Sequence, residues 1–114
     1  MKYNEIIKSI DDKKYYNVYF LSGTESYYID KISDYISKNI LNEEEKAFNQ
    51  AVLYGKETNA KEIISEAKQY PFGSLNRVVI VKEAQHIRNI ENLDKYLDNP
   101  LSSNILVILS LIHI

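Results

Sequence analysis

Two unbroken apolar runs in the second half of the chain constrain its fold most. They read RVVIV at residues 77–81 and NILVIL at residues 104–109. A strand with one face in water alternates between apolar and polar side chains, and neither run does so. Short runs of this kind, rich in β-branched residues, are typical of strands that are covered on both faces. The sequence therefore predicts an α/β fold, with helices on both faces of a mostly parallel sheet.

The rest of the chain supplies the other elements of such a fold. Two more strands are predicted, at residues 16–22 and at residues 47–55, where Phe48, Val52 and Tyr54 are placed to cover one side. Apolar residues at helical spacing predict four helices, around residues 3–10, 25–40, 59–70 and 87–97. Strands that alternate with helices imply right-handed crossovers, and hence a three-layer domain.

Polar residues predict how some of these elements begin. Ser22 followed by Glu25 predicts a capping box before the second helix, and Asn59 followed by Glu62 predicts another before the third. The acidic run at residues 42–46, NEEEK, is interpreted as a solvated loop or helix end. Its three consecutive glutamates point in different directions, so they are not interpreted as a paired acid and base.

Composition excludes several classes of protein. A chain of 114 residues, 45% hydrophobic and 26% charged, fits one globular domain, and we expect a cytoplasmic protein with no membrane partner. The absence of cysteine excludes disulfides and thiolate metal sites, and the single, distant His86 and His113 predict no metal site. A net charge of -2 with scattered lysines argues against a nucleic-acid binder that acts alone.

Basic and aromatic residues are interleaved at residues 13–20, KKYYNVYF, a pattern that can stack nucleic-acid bases. The favoured interpretation is structural, because successive side chains of a strand point to opposite faces. It places Tyr16, Val18 and Phe20 against one layer of helices and the intervening residues against the other.

The stretch YFLSGTESYYIDK at residues 19–31 has the layout of a phosphate-binding loop, with a strand, a glycine turn and a helix. Aligned on Gly23, the pattern G-x-x-x-x-G-K-[ST] requires glycine at Tyr28, lysine at Ile29 and a hydroxyl at Asp30, and all three differ. A carboxylate about 4 Å from a phosphate charge costs about 4 kcal/mol at an effective dielectric of 20. The sequence therefore predicts a degenerate nucleotide site, with the first helix or Tyr28 filling the space above the glycine.

The second half of a nucleotide site would follow the strand at residues 77–81, where an ATPase carries an acidic residue that holds the metal. Lys82 occupies that place and Glu83 comes next, without a loop lysine or a hydroxyl ligand to join it. We therefore expect no cofactor and no catalytic site. The alternative is a nucleotide-dependent enzyme with an atypical loop, in which Glu83 and the amides from Gly23 to Ser26 hold the nucleotide.

Several short motifs occur in a characteristic order. They are Gly23 with Glu25, Gly55 with Glu57 and Thr58, Tyr70 to Phe72 ahead of Arg77, Val78 to Lys82, and Leu97 to Pro100. In this order and spacing, residues 1–109 resemble the amino-terminal domain of the delta subunit of bacterial DNA polymerase III, a clamp-loader subunit. Residues 110–114 depart from the family pattern and are interpreted as a truncated or non-native tail.

The resemblance implies a P-loop NTPase (AAA+)-like fold that binds no nucleotide, in a longer subunit with a lid domain and a collar domain. The implied function is to bind the ring-shaped sliding clamp, the beta subunit, and to hold it open for loading onto DNA during replication. Other clamp-loader subunits are the further partners, and DNA is contacted only through the complex.

In relatives, an apolar tip between the second crossover helix and the third strand grips the clamp. The resemblance places this tip on Gln69, Tyr70, Pro71 and Phe72. Aromatic residues beside a proline lose little rotamer entropy when they enter an apolar pocket, so Phe72 is the first candidate for an anchor. The alternative is that Phe72 folds under the sheet as a cap and that Tyr70 is the last core position of its helix.

Overall fold

The computed structural model describes residues 2–112, which form five α-helices, four strands and three short 3-10 helices. In chain order the elements are α1 (Tyr3–Asp11), β1 (Val18–Gly23), α2 (Ser26–Asn39), α3 (Glu43–Asn49), β2 (Gln50–Tyr54), a 3-10 turn (Gly55–Glu57), α4 (Ala60–Ala67), β3 (Arg77–Lys82), 3-10 turns (Ala84–His86 and Ile90–Leu93), α5 (Asp94–Asp98) and β4 (Asn104–Leu111). His113, one of the two histidines considered above, lies outside the described residues.

The four strands form one parallel sheet in the order β1-β4-β3-β2. The two apolar runs become β3 and β4, which lie side by side in the centre, with Val79 opposite Leu106 and Ile80 opposite Val107. All connections between these strands contain helices, as parallel pairing requires. The predicted fold class is confirmed.

Each face of the sheet carries its own apolar core. On one face, Val78 and Ile80 of β3 pack with Ile6 of α1 and Ile32 of α2. On the other face, the neighbouring residues of β3 and β4 pack with α4, α5 and the turns before α5. Because β3 alternates between two covered faces, every residue from Arg77 to Val81 is buried.

The edge strand β1 is covered on one face and partly open on the other. Tyr19 and Leu21 are buried in the core formed with α1 and α2. Phe20 points the other way and is 44% exposed, and Tyr16 before the strand is 56% exposed. The prediction that a helix layer covers Tyr16, Val18 and Phe20 is therefore wrong for Tyr16 and Phe20, because α4 and α5 cover the central strands and not this edge.

Residues 42–49 depart most from the sequence prediction. Asn42 and Glu45 form a capping box, in which each side chain bonds the backbone of the other, and α3 follows. The second strand begins at Gln50, so Phe48 lies on α3 and not on the strand. Val52 of β2 is 40% exposed, and the second strand does not form the apolar side that was predicted from Phe48, Val52 and Tyr54.

Of the predictions for the other element boundaries, some are confirmed and others are wrong. Asn59 caps α4 by accepting a hydrogen bond from the Glu62 amide at 2.9 Å, as predicted, although the Glu62 carboxylate bonds Thr58 instead of returning to the cap. The capping box predicted at Ser22 and Glu25 is wrong, since Glu25 precedes α2 without a side-chain cap. The helix predicted around residues 87–97 is shorter, beginning as a 3-10 turn and ending at Asp98. No helix in the described range is long and apolar enough to cross a membrane.

Candidate functional site: the loop before the third strand

The loop that joins α4 to β3 carries the predicted tip. All strands run the same way, so this loop lies at the amino edge of the sheet, opposite the edge at which Gly23 ends β1. Phe72 is 72% exposed and Tyr70 is 78% exposed, while Gln69 is also exposed and Pro71 is half-buried. Phe72 is therefore not folded under the sheet, and Tyr70 is not a core residue.

The backbone of the tip is fixed by a buried asparagine at the end of α3. Asn49, only 1% exposed, donates through Nδ2 to the Phe72 carbonyl oxygen at 2.7 Å and accepts the Phe72 amide through Oδ1 at 2.6 Å. Its amide thus pairs with Phe72 as a neighbouring strand would. Gly73 then turns the chain with a φ of 68°, a left-handed conformation that suits glycine. The backbone is held while the Phe72 ring stays in solvent.

The start of the same loop is held from β4 and α5. Asn104, 1% exposed, donates through Nδ2 to the carbonyl oxygens of Ala67 at 2.7 Å and Gln69 at 2.6 Å. The Tyr96 hydroxyl donates to the Ala67 oxygen at 3.1 Å. These bonds satisfy the carbonyl of Ala67, the last residue of α4, and that of Gln69 just beyond the helix.

Arg77, at the start of β3, ties the loop to both neighbouring helices. It is 6% exposed, and its guanidinium forms an ion pair with the Glu66 carboxylate. The guanidinium also donates to the Glu66 carbonyl oxygen at 3.0 Å and to the Phe48 carbonyl oxygen at 3.2 Å. A buried guanidinium needs such a set of acceptors, because an unpaired charge there is strongly destabilising. Arg77 therefore fixes α3 and α4 around the tip.

Glu45 of α3 adds an electrostatic contact to the far side of the tip. The Ser74 hydroxyl and, to a smaller degree, the Asn42 amide donate to the Glu45 carboxylate and hold the pKa of Glu45 below its usual value. Ser74 also accepts the Asn76 amide at 3.3 Å. The bonds from Asn49 therefore fix the loop to α3 at Phe72, and Ser74 lies near the acidic side of the same helix.

The glycine turn after β1 contains little that attracts a phosphate. A cavity of about 220 Å³ there is lined by Tyr3, Leu21, Ser22, Gly23, Thr24, Glu25, Tyr28 and Ile29. Glu25 is the charged member of this lining, and it is an anion. The rings of Tyr3 from α1 and Tyr28 from α2 meet edge to face, with their centres 5.5 Å apart. The first helix and Tyr28, which were predicted to fill this space, therefore both form part of the cavity wall.

Asp30 and Glu83 line a different cavity, of about 560 Å³, at the carboxyl edge of the sheet. Lys56, Lys82 and His86 also line it, so acidic and basic groups are mixed. Ile29 reaches both cavities from α2 and packs against the core, in agreement with its place in the apolar stripe. Within residues 2–112, no three His, Cys, Asp or Glu side chains cluster as a metal site would require.

Sequence reasoning missed the residues that hold the tip. Asn49 and Phe48 were assigned to a strand, and Arg77 was noted only as a basic residue after an apolar loop. The spacing of Asn42 and Glu45 is a capping-box signal that predicts α3, and would have moved Phe48 and Asn49 onto a helix. The bonds from Asn49 to Phe72 span 23 positions, a separation for which the sequence carries no local signal.

A parallel sheet in this strand order, with helices on both faces and a glycine turn after β1, defines an α/β domain of the P-loop NTPase-like class. The chain belongs to the family described as DNA polymerase III, delta subunit, whose model matches residues 19–111.

A curated protein and a solved structure from Bacillus subtilis agree with this assignment. The chain is 26% identical to the curated DNA polymerase III subunit delta of Bacillus subtilis strain 168, with 93% of this chain and 33% of that protein covered. A solved structure of the Bacillus subtilis DNA clamp loader delta protein matches with a TM-score of 0.83 and 26% identity over 96% of this chain and 35% of that one. The chain thus spans about a third of the length of these relatives.

A gamma subunit-related DNA polymerase III protein from Thermotoga maritima has the same fold, with a TM-score of 0.72 and 16% identity, covering 96% of this chain and 40% of that one. At this identity the likeness concerns the fold alone.

Proposed function

We propose that this chain is the amino-terminal domain of a clamp-loader delta subunit and that it acts without catalysis. Its loop from Gln69 to Phe72 binds the sliding clamp and helps to open the ring for loading onto DNA. Other clamp-loader subunits are the further partners, and DNA is contacted through the assembly. Membership of the delta family and the match to a clamp loader delta protein support this proposal.

The observation that carries the proposal is an exposed aromatic ring on a fixed backbone. Phe72 is 72% exposed, yet its amide and carbonyl are both bonded to the buried Asn49. A loop held in one conformation before binding has less entropy to lose when its partner arrives. Large aromatic side chains presented in this way are the residues that most often dominate a protein interface.

The test is a calorimetric titration of the protein that carries this chain against the sliding clamp of the same organism. We expect Phe72→Ala to weaken binding by about 2 kcal/mol or more, which is about thirtyfold in Kd. Tyr27→Ala is the matched control, since Tyr27 is an aromatic residue of α2 that is 62% exposed. Unchanged affinity in Phe72→Ala, an equal loss of affinity in Tyr27→Ala, or no binding by the unmodified protein would refute the assignment.

Nucleotide binding, measured with the same protein, distinguishes this proposal from a nucleotide-dependent enzyme. Glu83, the acidic residue which that alternative requires, lines the cavity of about 560 Å³ together with Ser26, whereas Gly23, Thr24 and Glu25 line the other cavity. We expect no saturable binding of Mg-ATP at micromolar concentration. Binding that is lost in Glu83→Gln would favour the alternative.

A further inference from the structure

A second exposed aromatic ring lies beside the tip, on a different element. Phe48 of α3 is 67% exposed, and its ring lies 5.7 Å from the ring of Phe72, centre to centre, with the planes tilted by 60°. A single exposed apolar residue is ordinary, but two large rings in contact on a solvent-facing surface are not explained by packing of the core. Together the two rings form an apolar surface that neither segment has alone.

The two rings border one shallow cavity. It measures about 330 Å³ and is lined by Asn42, Glu44, Glu45, Phe48, Phe72 and Gly73. The carboxylates stand on the α3 side, so the apolar part of the cavity is bounded by acidic groups. This arrangement fits an interface with an apolar centre and a charged rim.

The relative position of the rings is set before any partner binds. Asn49 follows Phe48 directly in the chain and is bonded to both backbone groups of Phe72. Arg77, at the end of the tip loop, donates to the carbonyl oxygen of Phe48. The backbone of α3 and that of the tip therefore behave as one body at this point, and a partner that encloses Phe72 must also contact Phe48.

We propose that Phe48 is a second anchor for the sliding clamp, and that the surface formed by Phe48 and Phe72 enters one apolar depression on the clamp, bordered by basic groups that face Glu44. The clamp is the occupant because this surface is continuous with the tip that the proposed function assigns to it, and the inference rests on that function. Neither the delta-family match nor the relatives assign a role to residue 48.

The test is a double-mutant cycle on Phe48 and Phe72, measured as Kd for the sliding clamp with the protein that carries this chain. We expect Phe48→Ala to raise Kd at least fivefold and Phe48→Leu, which keeps an apolar side chain, to raise it less. Because the rings touch, the double variant should lose less than the product of the two single effects. Tyr27→Ala should leave Kd unchanged.

Stability and charge provide the remaining controls. Since Phe48 is two-thirds exposed, Phe48→Ala should unfold at nearly the same temperature as the unmodified protein, so that a lost affinity reports on the interface. Glu44→Gln should slow association, and the difference should shrink as salt is added, because a rim charge acts mainly on the rate of encounter.

The outcomes separate this inference from the proposed function. If Phe72→Ala abolishes binding while Phe48→Ala binds as the unmodified protein does, the inference is overturned and the proposed function stands. If single effects multiply without coupling, the two rings do not share one depression, and the inference is again overturned. If the unmodified protein does not bind the clamp, the proposed function fails and the inference fails with it.

Discussion

Replacing Asn49 with alanine should release the tip without touching the ring of Phe72. The change removes three hydrogen bonds, to the Phe72 carbonyl at 2.7 Å, from the Phe72 amide at 2.6 Å, and to the Glu45 carbonyl at 3.0 Å. At a net value of about 1 kcal/mol for each bond, the free energy of unfolding should fall by about 2 to 3 kcal/mol. For a domain of this size that lowers Tm by about 10 °C.

The same substitution should also weaken clamp binding, because the freed loop must be ordered when it binds. Fixing the backbone of one residue costs about 1 kcal/mol or more, so Kd should rise by at least about fivefold for each residue that is released. Binding is measured at a temperature at which the variant is folded, and stability by guanidinium unfolding followed by circular dichroism.

Asn39→Ala is the matched control for Asn49→Ala. Asn39 is exposed and its amide donates one bond, to the Tyr35 carbonyl at 2.8 Å, so its loss should change the free energy of unfolding by less than about 0.5 kcal/mol. If the two alanine variants unfold alike and bind the clamp alike, the view that Asn49 organises the tip is refuted.

Two further predictions concern a close backbone approach and a titration. Gly55→Ala should lower the free energy of unfolding by about 2 kcal/mol or more, because a Cβ there would overlap the carbonyl oxygen of Glu83. Gly23→Ala should be nearly neutral, because no atom lies within 4 Å of the added carbon. Equal thermal stabilities of the two variants would contradict this prediction. Glu45 has a folded-state pKa below its unfolded value, so its contribution is present at neutral pH and is lost as pH falls through the folded pKa. The stability difference between the unmodified protein and Glu45→Gln should therefore shrink between about pH 6 and about pH 3, and a constant difference would show that Ser74 and the Asn42 amide do not lower the pKa of Glu45.

The sheet could be predicted because its signal is local and repeated. The runs that became β3 and β4 have no polar residue at any position from Val78 to Val81 or from Ile105 to Leu109, and short β-branched runs of this kind are typical of strands buried on both faces. The cap at Asn59 was likewise predicted from a spacing of three residues. In both cases neighbouring residues in the chain carry the physical cause of the structure.

The site resisted prediction because its causes lie far apart in the chain. Tyr70 and Phe72 are exposed because the backbone of their loop is held by two distant side chains. Asn49 bonds Phe72 across 23 positions, and Asn104 bonds Gln69 across 35 positions. The acidic run at residues 42–46 forms the cap and first turn of α3, a helix that was not predicted there because three glutamates are equally compatible with a solvated loop. Phe48 was then assigned to the neighbouring strand, and its contact with Phe72 could not be foreseen.

The parallel direction of all four strands separates the tip from the glycine turn. The aromatic tip lies at the amino edge of the sheet and the glycine turn at the carboxyl edge, with strands of about six residues, or roughly 20 Å, between them. Groups that contact the tip and groups that contact the glycine turn would therefore meet different loops. Because β3 runs directly from the tip loop to the carboxyl edge, no loop or hinge lies between the two edges along that strand.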